Sequence, residues 1–233
     1  MRIDSAKVLV TGGSSGIGLE TARELRRRGA GVVICGRNAT RLARAASEID
    51  AVAVPADVSR EEDVISLIPR VIEALGGYNV LINNAGFGSF APLLETSTAE
   101  MQRVYATNVF GAMMVARESA RHFVAQKEGS IVNVASTAGR RGYAGGTAYA
   151  SSKFALSGLT ECWRAELRKH EVRVMQINPS EVQTEFFAAS GRERPRSEKK
   201  LRPAEIAHAI ISMLEMDDRG FIPELSVWAT NPD

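Results

Sequence analysis

Cysteine is nearly missing from this chain of 233 residues: Cys35 and Cys162 form no CxxC pair and have no His or Cys companions at metal-ligand spacing. A disulfide framework and a structural zinc site are excluded on that count, and a reducing cytoplasm is the expected setting. Long hydrophobic runs are missing too. No apolar stretch approaches the ~20 residues that a transmembrane helix needs. The opening Met1-Arg2-Ile3-Asp4 leads into a strand pattern and offers no signal-peptide core. Charge of one sign is not in excess. A formal net charge of +2 is too small to argue for nucleic acid or a membrane surface as partner. The three histidines, His122, His170 and His208, lie in helical segments without paired spacing, which disfavours a metal centre.

What is present is alternation. Short β-branched runs at Lys7–Thr11, Val32–Cys35, Val52–Val54, Val80–Asn83, Ser130–Ala135, Val172–Asn178 and Phe221–Val227 read as strands. Amphipathic stretches between them, Ile17–Arg28, Glu61–Leu75, Ala99–Gln126, Ala148–His170 and Pro203–Glu215, read as helices. Several strands are nearly continuous apolar runs, as expected where both faces of a parallel sheet are covered. The pattern predicts one α/β domain over residues 1–233: a doubly wound, Rossmann-type parallel sheet of about seven strands with helices on both faces. The compositional break is Gly191–Arg202, with six basic residues, two acidic ones and a proline, which reads as a solvated loop.

The first strand ends in Thr11-Gly12-Gly13-Ser14-Ser15-Gly16-Ile17-Gly18, and a helix follows. Glycines allow a tight turn and close approach of the backbone to a pyrophosphate, while the helix aims free N–H groups and its positive dipole end at the phosphates. Gly12, Ser14, Ser15, Gly16, Ile17 and Gly18 are therefore the candidate phosphate-binding residues. The second strand ends in Cys35-Gly36-Arg37. A carboxylate there would hold the ribose 2′-hydroxyl of NAD; glycine stands in its place, and Arg37 suits a 2′-phosphate through paired N–H bonds. NADP(H) is expected ahead of NAD(H). Asp57, after the third strand and followed by Val58, fits either an acceptor for the adenine amino group or a turn aspartate.

Tyr149-Ala150-Ser151-Ser152-Lys153 opens a long helical stretch. Residues four apart share a helix face, so phenol and ammonium project together. A cation held close can lower the phenol pKa, ordinarily near ~10, into the range for proton exchange with an alcohol or carbonyl. Ser136 ends the fifth strand, at the edge where open α/β sheets bind ligands, and its hydroxyl could donate to a developing oxyanion. Asn83-Asn84-Ala85-Gly86 ends the fourth strand at the same edge.

With Thr11–Gly18, Asn83–Gly86, Asn108, Ser136, Tyr149–Lys153 and Asn178–Thr184 in this order, the chain resembles the one-domain branch of the short-chain dehydrogenase/reductase family over essentially its whole length. The resemblance implies an oxidoreductase acting on CH–OH groups, with Tyr149 as general acid/base. Lys153 would bind the nicotinamide ribose and depress the tyrosine pKa, and Ser136 would polarise the substrate oxygen. Asn108 would anchor a relay water. Asn83, Asn84, Ala85 and Gly86 would lie beside the adenine ribose, tied by Thr11, and Pro179, Val182 and Thr184 beside the nicotinamide. In place of the family's Asn-Pro-Gly the chain has Asn178-Pro179-Ser180, and serine takes positive φ only with strain.

The same resemblance implies a homodimer or homotetramer packed through the helices at Ala99–Gln126 and Ala148–His170; the apolar C-terminal strand offers a second surface, with Trp228 as an anchor. It also places a substrate lid at about residues 185–202, whose cations Arg192, Arg194, Arg196, Lys199, Lys200 and Arg202 would favour anionic substrates. The pattern is similar to that of NADP-dependent 3-hydroxy acid dehydrogenases, with reductases of 3-oxoacyl groups on acyl carrier protein second. A regulator or scaffold that senses NADP(H) would be expected to have lost one of Asn108, Ser136, Tyr149 or Lys153, and all four are present. An epimerase or dehydratase would need more chain than the roughly fifty residues beyond Thr184.

Overall fold

The apolar runs become seven strands in a computed structural model that describes residues 1–186 and 197–231. They are β1 (Lys7–Thr11), β2 (Gly31–Gly36), β3 (Val52–Pro55), β4 (Val80–Asn83), β5 (Gly129–Val134), β6 (Val172–Pro179) and β7 (Glu224–Val227). They pair in parallel in the spatial order β3-β2-β1-β4-β5-β6-β7. The chain therefore starts mid-sheet, winds out to β3, returns to lay β4 beside β1, and winds out the other way. That reversal opens a crevice at the carboxyl ends of β1 and β4.

The helices are α1 (Gly16–Arg27), α2 (Ala39–Ile49), α3 (Glu61–Leu75), α4 (Thr98–Tyr105), α5 (Ala112–Gln126), α6 (Thr147–Leu167) and α7 (Pro203–Glu215). Successive strand residues feed opposite layers. Val8 and Val10 of β1 join Val32 and Ile34 of β2 under Leu25, Leu42 and Ile210 of α1, α2 and α7. The intervening Leu9 and Val33 pack on the other face against Val64, Leu67 and Phe123 of α3 and α5. Each fully buried Leu, Ile or Phe stabilises the fold by roughly 1.5–3 kcal/mol, which is why these strands carry no polar alternation. Cys35 of β2 lies in the second layer with no exposure, and burial pushes its thiol up to about 12.

Three differences from the sequence reading have local causes. Helix α2, unassigned in that reading, is held at its start by Asn38, whose side chain accepts from Arg41 N at 2.9 Å, and by Leu42, Ala45, Ala46 and Ile49 on its buried face. The stretch Ala99–Gln126 is helical but interrupted by a π-helical segment, Ala106–Gly111, between α4 and α5. Strand β7 begins at Glu224 rather than Phe221 because Pro223 precedes it with no N–H to give the ladder.

Candidate active site

At the β1/β4 reversal lies a cavity of about 670 Å³, lined from Arg37 and Asp57 at one end to Tyr149 and Trp228 at the other. Its first end is built by backbone. Gly12 has φ +65°, and a Cβ there would stand 2.9 Å from Ala85 Cα, so the turn admits glycine alone. Thr11, fully buried, accepts from both Asn84 N and Ala85 N at 2.9 Å, and Asn84 Nδ2 donates to Thr11 O at 2.9 Å. The loop after β4 is thereby locked to the turn after β1. Helix α1 starts with no side-chain cap on its N-terminal N–H groups and no acidic residue in its first turn. Ser14, Ser15, Gly16 and Ile17 line the cavity there. A cradle of this kind fits the pyrophosphate of a dinucleotide. Arg37 and Arg41, both exposed, and Gly36 line the adjoining wall at the end of β2. Asp57 also lines it, with Ser59 N and Ser59 Oγ donating to its Oδ1 at 3.0 and 2.7 Å. The turn role of Asp57 is thus present, and Oδ2 has no partner among the described residues.

The second end is built by side chains. Tyr149 and Lys153 stand one turn apart on α6, and the Lys153 ammonium lies 5.9 Å from the centre of the Tyr149 ring. Lys153 is only 5% exposed and donates to Val134 O at 2.9 Å. Burial lowers its pKa to about 8. Burial also pushes the Tyr149 phenol above its ordinary range, opposed by a hydrogen bond with Ser136. The sequence reading has the phenol lowered by Lys153; here desolvation of both groups outweighs their proximity. Ser136 Oγ also accepts from Ala138 N at 3.1 Å and reaches Pro179 O only at 3.4 Å, so its hydroxyl is held beside the phenol.

Most sequence candidates line this cavity: Ser136, Tyr149 and Lys153, together with Val58, Asn84, Ala85, Gly86, Pro179, Val182 and Thr184. Two do not. Gly18 packs inside the turn, where a Cβ would stand 2.5 Å from Gly12 O, so its role is closeness of helix to strand. Asn108, 1% exposed in the π-helical segment, brackets three elements. It accepts from Phe87 N at 3.1 Å and donates to Phe87 O at 3.0 Å and Ser152 Oγ at 3.1 Å. Both amide hydrogens are used within the protein, so the side chain ties the loop after β4 to α6. Asn83 is likewise turned inward, donating to Ala112 O at 2.9 Å and Asn133 Oδ1 at 3.2 Å.

Ser180 sits without strain. The non-glycine residues with positive φ among those described are Asp50, Lys127 and Glu171, and Ser180 N donates to Val227 O at 2.9 Å. Residues 187–196, including Arg192, Arg194 and Arg196 of the expected lid, lie outside the described residues. Of its other cations, Lys200 pairs with Glu181 at 2.8 Å and Arg202 with Glu205 at 3.6 Å, so neither presents free charge to the cleft. The sequence reading missed Phe87, Phe90, Arg141, Tyr143 and Phe186 and assigned Trp228 to an interface; all six line the cavity. Their positions in irregular loops carry no periodic signal.

Among the described residues no helix is long and apolar enough to cross a membrane, and no group of three His, Cys, Asp or Glu could hold a metal ion. A family model described as short chain dehydrogenase matches residues 6–195. An uncharacterized oxidoreductase of Staphylococcus aureus is 32% identical over 94% of this chain and 95% of its own. Human 3-oxoacyl-[acyl-carrier-protein] reductase is 32% identical over 88% of this chain and 90% of its own. An uncharacterized oxidoreductase of Bacillus subtilis is 36% identical, but the match spans about half of it, 52%. Among solved structures, 3-ketoacyl-(acyl-carrier-protein) reductase of Brucella melitensis, complexed with NADH, superposes with a TM-score of 0.90 at 28% identity, covering 97% of this chain and 98% of that one. An alcohol dehydrogenase of Thermococcus sibiricus, complexed with 5-hydroxy-NADP, gives 0.89 at 27% identity, covering 98% and 100%. With the sheet, the cradle and the Ser136–Tyr149–Lys153 corner in place, the chain belongs to the short chain dehydrogenase family of oxidoreductases.

Proposed function

We propose that the chain is an NADP(H)-dependent oxidoreductase that interconverts a small carbonyl compound and its secondary alcohol, the substrate being of the 3-oxo acid/3-hydroxy acid class. The carrying observation is one cavity with an uncapped helix N-terminus and Arg37 at one end and Ser136, Tyr149 and Lys153 at the other. When bound, the nicotinamide supplies or accepts the hydride. Arg37 and Arg41 would hold the 2′-phosphate, where an NAD enzyme needs a carboxylate at the end of β2. Ser136 donates to the substrate oxygen, and Tyr149, kept protonated by its surroundings, gives its proton to that oxygen during reduction. Lys153 holds its ammonium 5.9 Å from the centre of the phenol ring. Asn108 and Asn84 hold the loop after β4 against this corner.

Arg141 supports an anionic group on the substrate: it lines the cavity, is exposed, and has no ion pair among the described residues. A 3-oxoacyl group carried on acyl carrier protein is the second reading, favoured by the names of the human and Brucella relatives. The test is reduction of 3-oxobutanoate and of 3-oxobutanoyl-acyl carrier protein by the purified protein with NADPH or NADH. NADPH is expected to be oxidised at least tenfold more efficiently. No turnover with either substrate, or a preference for NADH, would overturn the corresponding part of the reading. We further propose a cytoplasmic homo-oligomer, supported by Phe110 and Phe154, which are 56% and 44% exposed in the π-helical segment and on α6.

A further inference from the structure

The whole chain holds eight Phe, four Tyr and two Trp, and six of these rings line the one cavity: Phe87, Phe90, Tyr143, Tyr149, Phe186 and Trp228. Three of them pack together in one corner. Phe90 and Phe186 stand 5.5 and 5.3 Å from the Tyr149 ring, and 6.3 Å from each other at an interplanar angle of 69°. The three come from separate parts of the chain: the loop after β4, the start of α6 and the loop after β6. Both phenylalanines rest on Gly88, where a Cβ would stand 2.6 Å from Phe90 Cζ and 2.8 Å from Phe186 Cε1. A missing side chain thus seats two rings against the Tyr149 ring. Both are half-buried, which leaves apolar ring surface open to the cavity.

We propose that Phe90 and Phe186 determine specificity by gripping an apolar substituent of the carbonyl substrate, so that the site takes carbonyl compounds bearing an alkyl chain of several carbons ahead of short ones. The inference rests on the hydride-transfer reading above. The rings pack on the Tyr149 ring and line the same cavity, so this apolar surface lies within reach of a substituent on a carbonyl held by Ser136 and Tyr149. Apolar burial contributes about 0.8 kcal/mol per methylene, a factor of roughly four for each carbon fully covered.

The experiment measures kcat/KM with NADPH for 3-oxobutanoate, 3-oxohexanoate and 3-oxooctanoate, and in parallel for 2-butanone, 2-hexanone and 2-octanone. The wild-type protein is expected to gain roughly fourfold to tenfold for each two carbons. Phe90→Ala and Phe186→Ala are expected to reduce that gain below about twofold, and Phe186→Leu to retain most of it. Because the gain is a ratio within one enzyme, general damage to folding or to Tyr149 cancels. A flat series in the wild-type protein overturns the proposal. So does a gain that survives in both alanine variants while all rates fall together, the outcome if the rings only support Tyr149. Inert oxo acids beside a rising alkanone series would overturn the 3-oxo acid reading and uphold the grip. No turnover of any carbonyl would overturn both.

Discussion

The two ends of the cavity are made in opposite ways. Around β1 and β4 the surface is backbone: a positive-φ glycine, an uncapped helix start, and a loop held by Thr11 and Asn84 through hydrogen bonds of 2.9 Å. Around β5 and α6 it is side chain: a buried ammonium, a phenol, a serine hydroxyl and rings delivered from distant loops. The difference teaches where function is robust. A backbone cradle tolerates neighbouring substitutions as long as its glycines and ties persist. A side-chain corner loses its chemistry with one atom.

Tyr149→Phe sharpens that contrast most. It deletes a single oxygen at the side-chain end and should lower kcat by about 10²–10⁴, while NADPH binding, read by fluorescence titration, stays near wild type. Retention of more than a tenth of the turnover would mean that another group gives the proton.

Lys153→Met tests the cost of the side-chain end. The folded pKa of about 8 lies below the usual 10.5, so between those values the unfolded chain binds more protons, and unfolding free energy rises with pH through that window. Below it the buried ammonium carries its full desolvation cost, about 3 kcal/mol from a shift of that size. Without added cofactor, the variant should therefore be the more stable protein at pH 7, and its advantage should shrink steadily toward pH 10.5 in paired denaturant titrations. An advantage that does not change with pH would show that Lys153 is not strained by burial.

Arg37→Ala probes the other end and should act least. Charge-assisted contacts to phosphate contribute ~1.5–3 kcal/mol, so NADPH affinity should fall roughly tenfold to a hundredfold with NADH affinity almost untouched. Equal losses for both cofactors would place the 2′-phosphate elsewhere, with Arg41 the next candidate on that wall.

The same contrast governs what could be read in advance. The cradle was legible because glycine and an apolar strand write backbone geometry into adjacent residues, from Thr11 to Gly18. Tyr149 and Lys153 were legible because one helical turn joins them. Helix α2 could have been read from Asn38 and the spacing of Leu42, Ala45, Ala46 and Ile49. The aromatic corner could not, since Phe90, Tyr149 and Phe186 share no period and meet only when three strands end at one edge. Nor could the inward turn of Asn83 and Asn108, which depends on partners at Asn133, Phe87 and Ser152. Residue type marks a polar group as noteworthy; only packing decides which way it faces.

The two thiols give the molecule a gauge of its own integrity. Cys162, exposed on α6 of the single chain, is open to an alkylating reagent wherever no partner copy covers that helix. Cys35, shut between β1 and the edge strand β3 and held in its inert protonated form, can be reached only when that side of the sheet comes apart. Mass spectrometry after a pulse of iodoacetamide would then count one label on intact molecules and two on opened ones. Sheet opening can be followed in this way without mutation, dye or cofactor.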